Sequence, residues 1–188
     1  MNPKDQYLLK EIPETIETKR VMIRRYQRGD GKAIYDLAGR NGNREHLAGI
    51  ADDMSNLKSI EEAEVNALMH RAEWATRDRF VAGIWYEEQF IGEIWIEPVN
   101  WEVPCFEIGW FIDKGLEGKG FAYEAAYACI KYIFNELKAH KVIAKTSDTN
   151  VRSSKLALRL GFTEEGHLRD SEYKKGKRSG TLLYGLIR

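Results

Sequence analysis

The sequence contains little cysteine and no long apolar run. Its 188 residues include 2 Cys and 4 His, and no two histidines form an H-x-x-x-H pair. Neither a disulfide framework nor a zinc site is therefore expected. No apolar stretch approaches the roughly 20 residues that a membrane-spanning helix needs, and residues 1–10 lack the apolar stretch of a secretion signal. We expect a cytoplasmic protein without a bound metal.

Charge of one sign is not in excess either. Lys and Arg total 29, and Asp and Glu total 29, so the formal net charge is zero. This balance argues against a protein held on nucleic acid by bulk positive charge, and direct nucleic-acid binding is not expected. The sequence also lacks internal repeats, low-complexity tracts and Gly/Ser linkers. We expect a polar lead-in at residues 1–17 and one domain at 18–188.

Apolar periodicity predicts the element order βααβββαβαββ. Asp30 is a predicted cap for the first helix, and a capping box of Ser59 and Glu62 opens the second, whose apolar stripe begins at Ile60 and Ala63. Hairpins combined with a βαβ unit predict a mixed α/β domain of about seven mostly antiparallel strands and about four helices. The predicted strands are 19–26, 80–86, 90–97, 106–112, 141–145, 162–168 and 181–187, and the predicted helices are 30–40, 59–77, 123–137 and 151–160.

A glycine-rich turn joins a predicted strand to a predicted helix. Gly115, Gly118 and Gly120 lie in it, and Lys119 adds positive charge. The first turn of a helix has amide groups without partners, and glycine lets a phosphate approach the backbone closely. The turn therefore fits a pyrophosphate cradle. The alternative is a strand–helix loop that binds nothing.

Three classes of nucleotide site can be compared with this turn. A Walker loop, G-x-x-x-x-G-K-[ST], is absent. A dinucleotide-binding domain requires G-x-G-x-x-G after its first strand, whereas here the spacing is G-x-x-G-x-G and two hairpin strands come before it. Asp148 follows the next strand, where such a domain carries its ribose-binding acid. Coenzyme A is the third class.

Several short motifs follow one another in a fixed order after the hairpin. They are Glu107-Ile108-Gly109-Trp110, Gly118-Lys119-Gly120-Phe121-Ala122-Tyr123-Glu124-Ala125, Asn150-x-x-Ser153, Leu160-Gly161-Phe162, Glu164-Glu165-Gly166-His167-Leu168-Arg169 and Tyr184-Gly185-Leu186-Ile187-Arg188. Their order and spacing resemble the GNAT acyl-CoA N-acyltransferases. Within that superfamily the chain is most similar to the RimJ/RimL-like branch, which acetylates the N-termini of ribosomal proteins. The resemblance covers residues 18–188.

The resemblance implies acetyl-CoA as the cosubstrate and direct transfer to an amine in a ternary complex. It also implies that two parallel strands, 106–112 and 141–145, splay apart around the pantetheine arm. Asn150 reaches that arm in the family, although an asparagine here is also a good helix cap. The residues implied in cofactor binding are Trp110, Phe111, Ile112, Gly118, Lys119, Gly120, Phe121, Ala122, Asn150 and Ser153.

Glu117 departs from the family's pyrophosphate motif, Q/R-x-x-G-x-G/A. Gly120 and Ala122 match the last two fixed positions, but Glu117 stands where Gln or Arg is usual. Unless its side chain points to solvent, Glu117 places a negative charge near the diphosphate. We expect binding to survive this change, because backbone amides form most of the cradle.

Catalysis requires a route for the proton of the ammonium group. Glu107 is our leading candidate for the base and Glu93 the second, while a structural polar residue is the alternative for each. An α-amine, with a pKa of about 7.7–8.0, needs no strong base at neutral pH. The resemblance implies Ser153 as the candidate acid for the leaving thiolate, since it matches a serine proposed for this role in the RimL-like branch, and a first-turn hydroxyl that bonds the backbone is the alternative. Ala157 stands where many members of the family use a tyrosine. Neither Cys105 nor Cys129 is expected to act as a nucleophile.

The acceptor is less clearly indicated than the cofactor. In the family its site is lined by the first two helices, the connection at 42–58 and the final hairpin, whose predicted turn at 174–180 is basic. Residues 48–52 replace a segment that often contains tryptophan in the resembled branch. Our preferred acceptor is the N-terminal amine of a protein, such as a ribosomal protein. A small amine such as a polyamine or aminoglycoside, and a CoA-binding regulatory module without turnover, are alternatives, and a homodimer is left open.

Overall fold

The computed structural model describes residues 3–174 and 176–188. Within these residues, eight strands form a single sheet in the order β1-β2-β3-β4-β5-β6-β8-β7. The strands are β1 (Thr15–Glu17), β2 (Met22–Arg25), β3 (Phe80–Tyr86), β4 (Gln89–Asn100), β5 (Cys105–Ile112), β6 (Lys141–Ser147), β7 (Thr163–Lys174) and β8 (Lys177–Ile187). The helices are α1 (Pro3–Leu8), α2 (Gly31–Gly39), α3 (Asn43–Leu47), α4 (Asp52–Ser55), α5 (Ile60–Thr76), α6 (Phe121–Asn135) and α7 (Val151–Arg159), with a short 3-10 helix at Lys114–Leu116.

The predicted mixed α/β architecture is confirmed. Only β5 and β6 pair in parallel among the described strands, and the other neighbours are antiparallel. The sheet has one strand more than expected because β1 pairs with β2, and α1, α3 and α4 add three short helices. No helix of the described residues is long and apolar enough to cross a membrane.

The sheet is covered on both faces. Phe106 and Ile108 of β5 pack into the apolar cluster that includes the buried face of α6. Phe111, whose side chain lies on the opposite face of β5, packs into a second cluster with Ile34 of α2 and Ala67 of α5. The alternation of buried side chains along β5 thus anchors both layers.

The predicted caps of the two long helices have different outcomes. Ser59 Oγ accepts a hydrogen bond from the Glu62 amide at 3.2 Å, as the capping box predicts. Asp30 occupies the predicted N-cap position of α2, but its carboxylate binds Arg24 at 2.7 and 2.8 Å and makes no capping bond to the helix. Glu64 of α5 instead accepts from the Gly31 amide, at 2.9 Å. A long-range contact therefore replaces the local one.

The final hairpin is longer than predicted. Expected strands at 162–168 and 181–187 extend to Thr163–Lys174 and Lys177–Ile187, so the turn predicted at 174–180 is mostly strand. Two irregularities in the register, at Glu164/Gly166 and Leu168/Glu172, interrupt the alternation of side chains along β7. The sequence pattern therefore does not show that the strand continues. Of the basic residues at 174–178, Lys175 lies outside the described residues.

The parallel pair β5–β6 opens along its length. Only three residue pairs join the strands, from Cys105↔Lys141 to Glu107↔Ile143. Beyond them, β5 continues to Ile112 paired only with β4, and β6 continues to Ser147 paired with β8. The sheet is therefore split at its centre, as expected for two splayed strands.

Candidate active site

A cleft of about 390 Å³, the first cleft, lies where β5 and β6 separate. Trp110, Phe111 and Ile112 of β5 line one side, and Asn150 and Ser153 at the start of α7 line the other. The backbone of this part of β5 faces the gap without a β6 partner, because pairing ends at Glu107. An extended ligand with amide groups can therefore pair with it as an added strand does. The other lining residues are His46, Ile50, Leu116, Glu117, Gly118, Gly120, Phe121, Ala122, Tyr123, Arg152, Lys155, Leu156 and Arg159.

The end of the first cleft is formed by the glycine loop, residues 113–120. Gly118 and Gly120 have φ values of +75° and +83°, a left-handed conformation that a side chain disfavours. Gly120 is the N-cap of α6 and has no side chain to bond the amides of the first turn. Gly120 and the first residues of α6, Phe121 and Ala122, line the first cleft, so the positive end of the helix dipole lies at this end of the cleft. The arrangement suits the diphosphate of a nucleotide cofactor.

The turn before β2 supports this loop from behind. Arg20 donates to the Lys119 carbonyl at 3.0 Å and to Glu124 Oε2 at 2.7 Å. Thr18 Oγ1 also donates to Glu124, at 2.7 Å. Lys119 itself lines a neighbouring surface groove with Arg20 and Glu124 rather than the first cleft.

Glu117 does not point to solvent. Its carboxylate lines the first cleft, forms an ion pair with Arg152 and lies 3.5 Å from His46 Nε2. Arg152 belongs to α7, so this ion pair connects the glycine loop at the end of the cleft to α7. The negative charge that the sequence places near the diphosphate site is thus balanced by a neighbouring guanidinium.

Asn150 caps α7. Its Oδ1 accepts from the Ser153 amide at 3.1 Å, which is the structural role weighed from the sequence. Both residues also line the first cleft, and both line a second cleft that is bordered by β5, β6, β7 and β8. The capping bond thus fixes the start of α7 at the place where the two clefts meet.

The second cleft has a volume of about 510 Å³. Its floor includes Trp95, whose indole covers Gly109 so closely that a Cβ there would lie 2.2 Å from it. Ile50 and Trp110 belong to both clefts, as do Asn150 and Ser153. Its other lining residues are Gly49, Ile108, Ala144, Lys145, Thr146, Ser147, Ala157, Leu168, Ser171, Glu172, Thr181, Leu183 and Tyr184.

The two carboxylates proposed as bases lie outside both clefts. Glu107 pairs with Lys145 Nζ at 2.7 Å and is absent from the lining of either cleft. Glu93 is buried and accepts a hydrogen bond from the Tyr26 hydroxyl at 2.6 Å. Burial raises the pKa of Glu93 to about 7, against the opposing effects of His70 and Tyr26. Neither glutamate reaches the cleft junction directly.

Glu172 is a carboxylate of the second cleft that sequence reasoning missed. It lies in β7 beyond the predicted end of that strand at residue 168, and its Oε1 accepts from Thr181 Oγ1 at 3.3 Å. Sequence reasoning could have assigned Glu172 to the site only by predicting the full length of the β7–β8 hairpin.

The cysteine thiols are poorly suited to nucleophilic chemistry. Burial raises the pKa of Cys129 to about 12, and burial also raises the pKa of Cys105. A thiol must lose its proton to attack a thioester. Ala157 lies on the lining of the second cleft and supplies no hydroxyl.

Known proteins share this fold and these motifs. The acetyltransferase (GNAT) domain matches residues 20–163, more than half of the chain. The chain belongs to the GNAT acetyltransferase family. It is accordingly an acyltransferase of the N-acetyltransferase type.

Individual GNAT relatives support the RimJ/RimL-like branch. The uncharacterized N-acetyltransferase YnaD of Bacillus subtilis is 26% identical over 152 residues, covering 80% of this chain and 84% of that protein. The ribosomal-protein-serine acetyltransferase of Escherichia coli is 29% identical over 125 residues, covering 65% and 66%. A structure of RimL, a ribosomal L7/L12 alpha-N-protein acetyltransferase in complex with coenzyme A, has a TM-score of 0.84 at 19% identity and covers 93% of this chain and 98% of its own.

Proposed function

We propose that this enzyme transfers an acetyl group from acetyl-CoA to the N-terminal α-amine of a protein by direct attack in a ternary complex. The observation that carries the proposal is the junction of the two clefts. Ile50, Trp110, Asn150 and Ser153 line both, so a thioester in the first cleft and an amine in the second would meet there.

The first cleft supplies what acetyl-CoA requires. The unpaired edge of β5 at Trp110, Phe111 and Ile112 offers amides and carbonyls to the pantetheine arm. The start of α6 at Phe121 and Ala122, next to Gly120, offers its amides to the diphosphate. RimL, similar in fold, is itself described with coenzyme A bound.

The second cleft is proposed as the acceptor site. An α-amine is partly neutral near pH 7, since its pKa is about 7.7–8.0. Glu172 lines this cleft. Glu107, in contrast, forms an ion pair with Lys145 at the point where the pairing of β5 with β6 ends. Glu107 remains the base predicted from sequence, and Glu172 is the competing candidate that the geometry adds.

An acceptor panel tests the proposed reaction. The assay follows release of free CoA thiol from acetyl-CoA with peptides that present different N-terminal residues, and with spermidine and kanamycin as small amines. Peptide-dependent release with a mass increase of one acetyl group on the α-amine is expected. Release with small amines alone would contradict the acceptor assignment, and coenzyme A binding without any release would contradict the proposed activity.

The proton route is tested with matched substitutions. Glu107→Gln and Glu172→Gln are compared across a pH profile, and the variant lacking the base should lose roughly 10²–10⁴ of its rate at neutral pH. Ser153→Ala should slow turnover if the hydroxyl protonates the thiolate. Ser154→Ala is its control, because Ser154 neighbours it on α7 but lines neither cleft. Equal rates in the two serine variants would remove Ser153 from the mechanism.

A further inference from the structure

Asp113 is a buried carboxylate that follows the last residue of β5. It is 1% exposed, yet it is surrounded by hydrogen-bond donors. Its Oδ2 accepts from Arg40 Nε at 2.6 Å, and its Oδ1 accepts from Asn41 Nδ2 at 2.9 Å, Asn43 Nδ2 at 3.1 Å and the Gly115 amide at 2.9 Å. One carboxylate thus collects donors from the glycine loop and from residues about seventy positions earlier in the chain.

The contacts between the two segments are reciprocal. Asn43 Oδ1 accepts from the Lys114 amide at 2.8 Å, while its Nδ2 also donates to the Leu37 carbonyl at 2.8 Å. Gly115 lies directly against Asn41, since a Cβ on Gly115 would be 2.6 Å from the Asn41 amide nitrogen. Arg40 and the asparagines therefore leave the glycine loop little room to move independently.

The segment on the other side of this network is the connecting segment, residues 40–50. It includes α3 and lines both clefts: His46 faces the first cleft, Gly49 the second, and Ile50 both. The 3.5 Å contact of His46 with Glu117 is a further link to the glycine loop. Asp113 consequently lies between the part of the protein that would receive the cofactor and one wall of the proposed acceptor site.

The charge of Asp113 matters to this arrangement. Burial opposes its ionisation, but the donors from Asn41, Arg40, Gly115 and Asn43 hold the pKa of Asp113 below its ordinary value. Removing one partner of a buried ion pair leaves the other charge uncompensated. Replacing the carboxylate by an amide would leave Arg40 without its anionic partner and add a donor where donors already converge.

We propose that Asp113 is a positioning residue that holds the glycine loop and the connecting segment as one unit, so that cofactor binding at the loop orders the acceptor wall. The inference rests on the proposed function in that coenzyme A is the ligand of the first cleft. When a ligand at one site favours one arrangement of an element that also lines a second site, the affinities at the two sites are thermodynamically linked.

The test uses hydrogen exchange measured by mass spectrometry on the full chain, with and without coenzyme A. Coenzyme A is expected to slow amide exchange in residues 43–50 of the wild type. Asp113→Asn should abolish that slowing and raise the Kd of coenzyme A about tenfold by calorimetry. Asp30→Asn is the matched control, because Asp30 is also buried and paired with an arginine but lies outside both clefts.

A second variant keeps the test decisive if Asp113→Asn fails to fold. Asn41 has φ of +55°, which glycine adopts without strain, so Asn41→Gly removes one donor to Asp113 and leaves the backbone undisturbed. It should reduce the slowing of exchange in 43–50 and weaken coenzyme A binding about threefold.

The outcomes separate this inference from the proposed function. A wild type that binds no coenzyme A overturns both. Binding without slowed exchange in 43–50, or slowed exchange that Asp113→Asn and Asn41→Gly leave intact, overturns the inference alone. Equal loss of slowing in Asp30→Asn would assign the effect to general destabilisation and would also overturn it.

Discussion

Gly120 has a left-handed backbone conformation, which would be strained in a residue with a side chain. It lies at the start of α6, where this helix lines the first cleft. Gly120→Ala places a Cβ 3.4 Å from the Arg20 guanidinium and costs about 1–2 kcal/mol in the left-handed region. The free protein can relieve this strain by leaving the left-handed conformation, and binding then has to restore it, so we expect the Kd of acetyl-CoA to rise by up to about tenfold by calorimetry, since 1.4 kcal/mol corresponds to a factor of ten.

Gly39→Ala is the control for this substitution. Gly39 ends α2 and has no positive φ, and a Cβ added to it would meet nothing within 4 Å. Alanine there should leave acetyl-CoA binding unchanged. Equal weakening in both variants would show that the conformation of Gly120 is not what the cofactor requires.

Glu117 provides a prediction about charge. Glu117→Gln removes the partner of Arg152 and leaves that guanidinium available to an anionic ligand in the first cleft. We expect acetyl-CoA to bind about two- to fivefold more tightly at low ionic strength, with the gain reduced by added salt. The exposed Glu102→Gln controls for net charge. Weaker binding in Glu117→Gln alone would show that the ion pair stabilises the bound form.

Residues in local motifs could be predicted from sequence, whereas their distant partners could not. Gly120 and Asn150 follow from the chemistry of helix ends, which depends on neighbours in the chain. Arg152 lies 35 positions from Glu117, and Lys145 reaches Glu107 only across the opening between two strands. These ion pairs depend on topology, so the sequence left Glu117 unpaired and made Glu107 the leading base.

Helix α5 depends on its N-terminal cap. Ser59→Ala removes the acceptor of the Glu62 amide and should lower the free energy of unfolding by about 1 kcal/mol in chemical denaturation. Ser59→Asp keeps an acceptor at the same position and should retain most of that stability. Because Ser59 lines neither cleft, acetyl-CoA binding should stay unchanged. Identical stabilities for alanine and aspartate would contradict a capping role.

The elements show where periodicity succeeds and where it fails. The capping box located α5 correctly, but its predicted apolar stripe was only partly right. Ala63 is buried, while Ile60 is 42% exposed and His70 and Trp74 fill the interior instead. The buried His70 is satisfied by Glu73 of the same helix and by Asp53 of α4, and hydrophobicity along one helix does not reveal such polar partners. The same limitation affects the N-terminus of α2, where the Glu64 carboxylate accepts a hydrogen bond from a first-turn amide in place of the Asp30 carboxylate.

His70 links the folded state of the whole molecule to pH. Its Nδ1 bonds Glu73 at 2.9 Å and its Nε2 bonds Asp53 at 3.1 Å. Burial alone would lower the pKa of His70, but Asp53, Glu93 and Glu73 raise it to about 9. A pKa above the ordinary 6.5 means that His70 stabilises the fold below pH 6.5 and that this contribution disappears as pH rises through 9.

The corresponding measurement is the free energy of unfolding between pH 6 and 10. Wild type should lose stability across this range, and buried Glu93, with its pKa near 7, contributes a loss in the same direction at the lower end. His70→Gln should be less stable at pH 6 and show a flatter profile above it. Exposed His140→Gln should follow wild type. A profile for His70→Gln parallel to wild type would contradict the linkage.

The order of elements and the mixed sheet could be predicted for the molecule as a whole, because each long element has a clear period and the motifs fix the βαβ unit. The lead-in at 3–17 carries α1 and β1, which are too short and too polar to show a period. The second cleft could be predicted in part: the family resemblance implies the connection at 42–58 and the final hairpin, which contribute Ile50 and Glu172, whereas the contribution of Trp95 from β4 depends on the folded sheet. Its lining exists only once the hairpin folds over the split.

The position of β8 between β6 and β7 has a consequence for biosynthesis. A nascent chain that has emerged only as far as β7 holds β6 with a bare antiparallel edge, because the partner of Lys141–Ser147 is Thr181–Ile187. Translation delivers domains from the N-terminus onward. Because β6 gains its antiparallel partner only when residues 181–187 have left the ribosome, the sheet of this domain is completed only at the end of synthesis.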